Sequence, residues 1–152
     1  MERLRKVLLL LVILSGFFIT TGCSQEVEGQ VSLSPKETVT KFFEYRNDKD
    51  LEKMEQLLSD DRHGVSWQLE SLNSIQILSI EEDTTGKMKE DFIAYGLGKN
   101  FEKSNISVFK VEFEVDYQGG FGSGLDNGVH SWWYYLTRDS ESSPWKIDDW
   151  GY

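Results

Sequence analysis

The chain suggests one acid–base pairing, His130 with Asp116 or Asp126. Histidine changes charge near neutral pH, and a carboxylate beside it would orient the ring and tune its proton. Side chains alternate along a strand, so His130, Trp132, Tyr134 and Leu136 share one face of the run Val129–Thr137. Inside an apolar pocket such a set could perform general acid–base chemistry, with Tyr134 beside it. The plainer reading makes His130 a rim residue at a loop end and Asp116 a solvated group among Lys110, Glu112 and Glu114. Trp132, Trp133, Tyr134 and Tyr135 are the candidate ligand-binding residues, because an aromatic wall suits an apolar or planar molecule. Ordinary core packing is the alternative, and the pattern does not say which strand face would line a hollow.

Other chemistry is less well supported. Two histidines and one cysteine make a zinc site improbable. The pairs Asp60-Asp61 and Asp148-Asp149 offer carboxylates to a cation, but turns and a strand end explain them equally well. Asn47-Asp48-Lys49-Asp50 lacks the glycine and distal glutamate of a calcium loop. Gly119-Gly120-Phe121-Gly122-Ser123-Gly124 joins two strands, whereas a phosphate loop needs a helix N-terminus behind it. No metal and no cofactor is expected.

These residues must be positioned by a small set of elements. Ser34-Pro35-Lys36-Glu37 is a helix start with a capping box, and Val39, Phe42 and Phe43 follow on one face. A polar break precedes a second helix over Leu51–Leu58, which makes a helix hairpin. Leu72–Glu82 reads as a strand with a bulge at Ile77-Leu78. Met88–Phe101 reads as a short helix or turn followed by irregular chain. From Asn105 to Gln118, apolar Phe109, Val111, Phe113, Val115 and Tyr117 alternate with charged residues, as in a strand buried on one face. Gly119–Gly128 is a flexible loop, Val129–Thr137 a strand, and Pro144–Trp150 a last strand with Trp145 and Ile147 on one face. Helices first and strands after predict an α+β fold, an N-terminal helix hairpin packed on a curved antiparallel sheet.

The N-terminus carries a different message. Arg3, Arg5 and Lys6 precede an apolar run from Val7 to Ile19, and Thr20-Thr21-Gly22-Cys23 closes it, the layout of an export signal. Gly22-Cys23 resembles a bacterial lipobox, although Thr20 stands where leucine is usual. That resemblance implies acylation of Cys23, which also accounts for the chain's single cysteine. The expected organisation is a signal peptide over 1–22, lipidated Cys23 and a tether over 23–33, and a folded domain over 34–152. The formal charge is −10 before the signal takes away its basic residues. So acidic a domain does not suit nucleic acid, and its membrane contact would come through the lipid on Cys23. The expected location is the extracytoplasmic face of the cell membrane.

Ser-Pro-Lys-Glu-Thr-Val-x-x-Phe-Phe over 34–43, Asp50–Met54 and the ending Trp145-Lys146-Ile147-Asp148-Asp149-Trp150-Gly151-Tyr152 resemble the DUF4829-like lipoproteins of Gram-positive bacteria. The resemblance implies an NTF2-like cone with a hollow between hairpin and sheet, and brings no catalytic motif. The expected function is a non-enzymatic module binding an apolar small molecule, a peptide or an envelope protein through that hollow. An isomerase- or hydrolase-type enzyme using His130 is the alternative.

Overall fold

In a computed structural model, which describes residues 32–152, Ser34 opens the first helix, α1 (Pro35–Asn47). The Glu37 amide donates to Ser34 Oγ at 3.3 Å and the Ser34 amide donates to Glu37 Oε2 at 2.8 Å, so both halves of the capping box form. Val39, Phe42, Phe43 and Arg46 follow at helical spacing, and all four are buried. Asp50 caps a shorter helix, α2 (Leu51–Gln56), by accepting from the Lys53 amide at 3.1 Å. A single 3-10 turn over Asp60–Arg62 comes next.

The main sheet has four antiparallel strands in the order β1 (Leu72–Glu82), β2 (Ile106–Tyr117), β5 (Gly128–Thr137) and β6 (Lys146–Gly151). The register of β1 on β2 shifts between Ile77 and Ser79, where the broken alternation predicts a bulge. β2 pairs along its length with β5, placing Phe113 opposite His130 and Phe109 opposite Tyr134. The architecture is α+β, a helical layer against a curved four-stranded antiparallel sheet.

Each sheet face has its own cover. Val111, Phe113, Val115, Tyr134, Leu136 and Ile147 pack beneath the α1–α2 hairpin as the main core. On the opposite face a third helix, α3 (Lys87–Tyr95), covers only one end of the sheet. There Phe92 stacks on Tyr135 with centroids 4.8 Å apart, and Ile106, Val108 and Trp133 complete a second, smaller core. Beyond α3 that face shows solvent Lys110, Glu112, Glu114 and Asp116.

Two segments differ from their sequence-based description. The loop expected to be flexible over Gly119–Gly128 contains a short ladder of β3 (Phe121–Gly122) and β4 (Leu125–Asp126). Gly122 lies against the Tyr117 ring so closely that a Cβ would overlap it. At β6, Trp145 and Ile147 both pack on the main core, but Asp148, expected on the other face with Lys146, departs from the alternation. Tyr135 pairs with Asp149 but Leu136 pairs with Ile147, so Asp148 is the extra residue of a bulge. A bulge re-aims the side chain it inserts, and Asp148 is only 6% exposed. Among the described residues, no helix is long and apolar enough to cross a membrane.

A charged cleft beside a filled core

His130 and Asp116 lie on opposite faces of the sheet. His130 stands over Phe113, with ring centroids 5.8 Å apart, and its Nε2 meets the main-chain carbonyl of Asp126 at 2.8 Å. The Asp126 carboxylate makes no ion pair with it. Asp116 accepts from Asn73 Nδ2 at 2.8 Å and from Asn127, both on the outer side. A general base needs its orienting acid within hydrogen-bond reach, and neither aspartate stands so to His130.

The four candidate aromatics divide between two layers. Trp132 and Tyr134 face the helix hairpin, while Trp133 and Tyr135 lie under α3. The space where a hollow was expected is occupied by rings. Tyr134 packs on Phe43 at 5.5 Å and on Phe42 at 6.3 Å, and Phe43 packs on Phe113 at 5.2 Å. These spacings are those of rings packed directly on one another, which leaves no room for a ligand between them. Burial pushes the Tyr134 hydroxyl well above the usual phenol range, Arg46 pulling against it. Tyr135 is raised more by burial than by the carboxylates of Asp149, Asp91 and Asp83.

Arg46 also belongs to this core, 1% exposed. Its Nη2 donates to the Tyr117 hydroxyl at 2.7 Å and its guanidinium lies 4.9 Å from the centre of the Trp67 ring. Its charge is stabilised by a phenol oxygen and an aromatic face, and among the described residues no carboxylate pairs with it.

A distinct opening of about 520 Å³ lies at the far end of the sheet. The 3-10 turn after α2, a second turn over Leu97–Asn100 and the β5–β6 connection surround it. Asp60, Asp61, Asp139 and Asp148 line it together with apolar Leu58, Leu97, Phe101 and Pro144. The backbone explains why these parts meet. Ile147 bridges to Leu58 as a parallel pair, with the Ile147 amide donating to the Leu57 carbonyl at 2.8 Å and the Ser59 amide to the Ile147 carbonyl at 2.9 Å. Arg62 then ties the turn to β6, its Nε donating to the Asp148 carbonyl at 2.6 Å and its Nη2 pairing with Asp149 at 3.0 Å. The two aspartate pairs, far apart in the chain, thus come to one place.

Asp148 Oδ2 and Ser59 Oγ are buried in the wall of this cleft without hydrogen-bond partners. Burial raises the Asp148 carboxyl above the ordinary aspartate range. Ser59 and Arg62 pull it down, and Asp149 and Asp61 push it up. The serine hydroxyl lies close enough to lower the carboxyl as a hydrogen-bond donor does, although no contact between them has full hydrogen-bond geometry. Sequence alternation aims Asp148 outward; the bulge that turns it inward has no local sequence signature. Cys23 lies outside the described residues. Among the described residues, no group of three or more His, Cys, Asp or Glu is placed to hold a metal ion.

No curated protein and no solved structure matches the chain. A family model described as a domain of unknown function, DUF4829, matches residues 36–151, which span every helix and strand described above but the first residue of α1. The chain belongs to the DUF4829 family.

Proposed function

We propose that this protein is a lipid-anchored, extracytoplasmic binding module of a Gram-positive cell envelope, and that the cleft, not the interior of the fold, is its ligand site. The observation that carries the site is the contrast between a ring-filled core and an open cleft whose wall holds a buried, unpartnered carboxylate oxygen. Binding pockets are concave and mostly preformed, with a few polar groups aimed inward. The helix layer on a curved sheet supports viewing the domain as an NTF2-like cone whose interior is packed. A non-enzymatic role is favoured over proton-transfer chemistry because His130 meets only the main-chain carbonyl of Asp126 and Asp116 bonds to Asn73 and Asn127, so no carboxylate orients the ring.

The anchor rests on the segment ahead of the domain: basic residues, an apolar run and the sole cysteine, Cys23. Acylation there would hold an acidic domain at the membrane surface. Cys23→Ala should abolish palmitate labelling and leave the precursor unprocessed; unchanged labelling of the variant removes the anchor. For the site, a photo-crosslinking residue at Leu97, in the cleft, is compared in intact cells with one at exposed Leu78 on β1. An adduct specific to position 97 supports the cleft; no adduct there, or the same adduct at both positions, overturns it.

A further inference from the structure

We infer that the cleft receives a primary ammonium group carried on an aliphatic stem. This rests on the cleft being the ligand site and names the chemistry it selects. A buried carboxylate oxygen without a donor is costly, and the cost is relieved by a cation that brings hydrogen-bond donors with it. Asp148 Oδ2 is such an oxygen, and Ser59 Oγ beside it, whose hydroxyl hydrogen leans on that carboxyl, keeps its acceptor lone pairs free. An ammonium has three donors and no acceptor, so it can satisfy both and still face water or a further carboxylate. Asp60, Asp61 and Asp139 supply the surrounding negative charge.

The cations that line the cleft are already engaged. Arg138 donates to Asn105 Oδ1 at 3.0 Å and to the Glu141 carbonyl at 3.1 Å, with its guanidinium 4.6 Å from the Trp145 ring centre. Lys146 Nζ donates to the Gln56 carbonyl at the end of α2. These partners are neutral and leave both cations charged, but Asp60, Asp61, Asp139 and Asp148 outnumber Arg138 and Lys146 in the lining, so the balance of charge at the cleft is negative. A bare metal ion is a poor match, because its ligands must converge and no such group of three is present among the described residues. Leu58, Leu97, Phe101 and Pro144 give an alkyl stem an apolar surface to lie on.

The test titrates the 15N-labelled full chain, in detergent micelles, with 1,5-diaminopentane. 1,5-Pentanediol, glutarate and Mg²⁺ serve as matched neutral, anionic and metal probes. The diamine should give saturable shifts at the amides of Ser59, Leu97, Asp139 and Asp148. Asp148→Asn should weaken it about tenfold, the scale of a lost charge-assisted hydrogen bond. Asp61→Asn is exposed and safe for folding, and should weaken it by a smaller factor, about two- to threefold, as loss of a screened charge does. Diol or glutarate binding as well as the diamine overturns the cationic assignment, and Mg²⁺ binding more tightly overturns the organic one. Silence from all four probes with a crosslinked adduct at position 97 removes the ammonium and leaves the cleft. Silence with no adduct removes both.

Discussion

Two buried ions, one in each region of this domain, face the same electrostatic problem and meet it differently. Arg46 sits in the sealed core, and among the described residues no carboxylate forms an ion pair with it. Tyr117 accepts one of its donors, the Trp67 ring faces its charge, and its Nε is left unpartnered. Asp148 is nearly as buried, but its wall opens on a cleft. A sealed ion must be stabilised by what the fold supplies. An ion at a cleft wall can be stabilised by something that arrives. The contrast separates structural polarity from recognition more cleanly than either residue type or burial does alone.

The largest effect should come from the core. Phe43→Ala should cost roughly 3–5 kcal/mol in denaturant unfolding while leaving diamine affinity unchanged in the folded fraction. A loss below about 1 kcal/mol would mean the rings do not fill the interior. Gly122→Ala should cost about 1–3 kcal/mol, because its methyl overlaps the Tyr117 ring that supports Arg46. Unchanged stability would show that this hairpin moves freely off the core.

Asp148→Asn tests the cleft side. Burial raises the folded-state pKa above the unfolded one. The folded chain therefore holds a proton that the unfolded chain has released, and wild-type stability falls as pH rises through that window. The variant should be more stable than wild type at pH 7 by up to about 1 kcal/mol, with the gap shrinking below about pH 4. A gap that widens on acidification refutes the direction of the shift. The smallest change is expected for Arg46→Met, which replaces a buried cation by an apolar chain of similar length and should stay within about 1 kcal/mol of wild type. A loss above about 3 kcal/mol would show that Arg46 has an anionic partner and belongs with Asp148 among the recognition groups.

Much of the fold was legible because period and capping agree. The Ser34–Glu37 box, the i, i+3, i+4 stripe of Val39, Phe42 and Phe43, and the strict alternation of Phe109–Tyr117 each point to one structure. The break in alternation at Ile77-Leu78 marks a bulge because both residues are apolar and only one can face inward. The face of the β5 strand was not legible, since it carries large aromatics on both sides and both sides are covered, one by the hairpin and one by α3. The site was least legible. Asp60-Asp61 and Asp148-Asp149 were visible as carboxylate pairs, but their convergence depends on the Leu58–Ile147 bridge and on the β6 bulge. The bridge joins residues far apart in the chain and the bulge is set by pairing with β5, so both lie beyond any local periodicity.

The Leu58–Ile147 bridge has another consequence. It lays the chain leaving α2 along the outer rim of β6, using backbone groups that an incoming strand would otherwise pair with. At the other rim, Asn47 Oδ1 occupies the Ile75 amide at 3.0 Å, and the bulges of β1 interrupt the row of groups that remains. Neither rim offers a neighbouring copy a long, regular template for growing the sheet from molecule to molecule. A domain built this way can be crowded at high density on a surface and still resist polymerising through its strands.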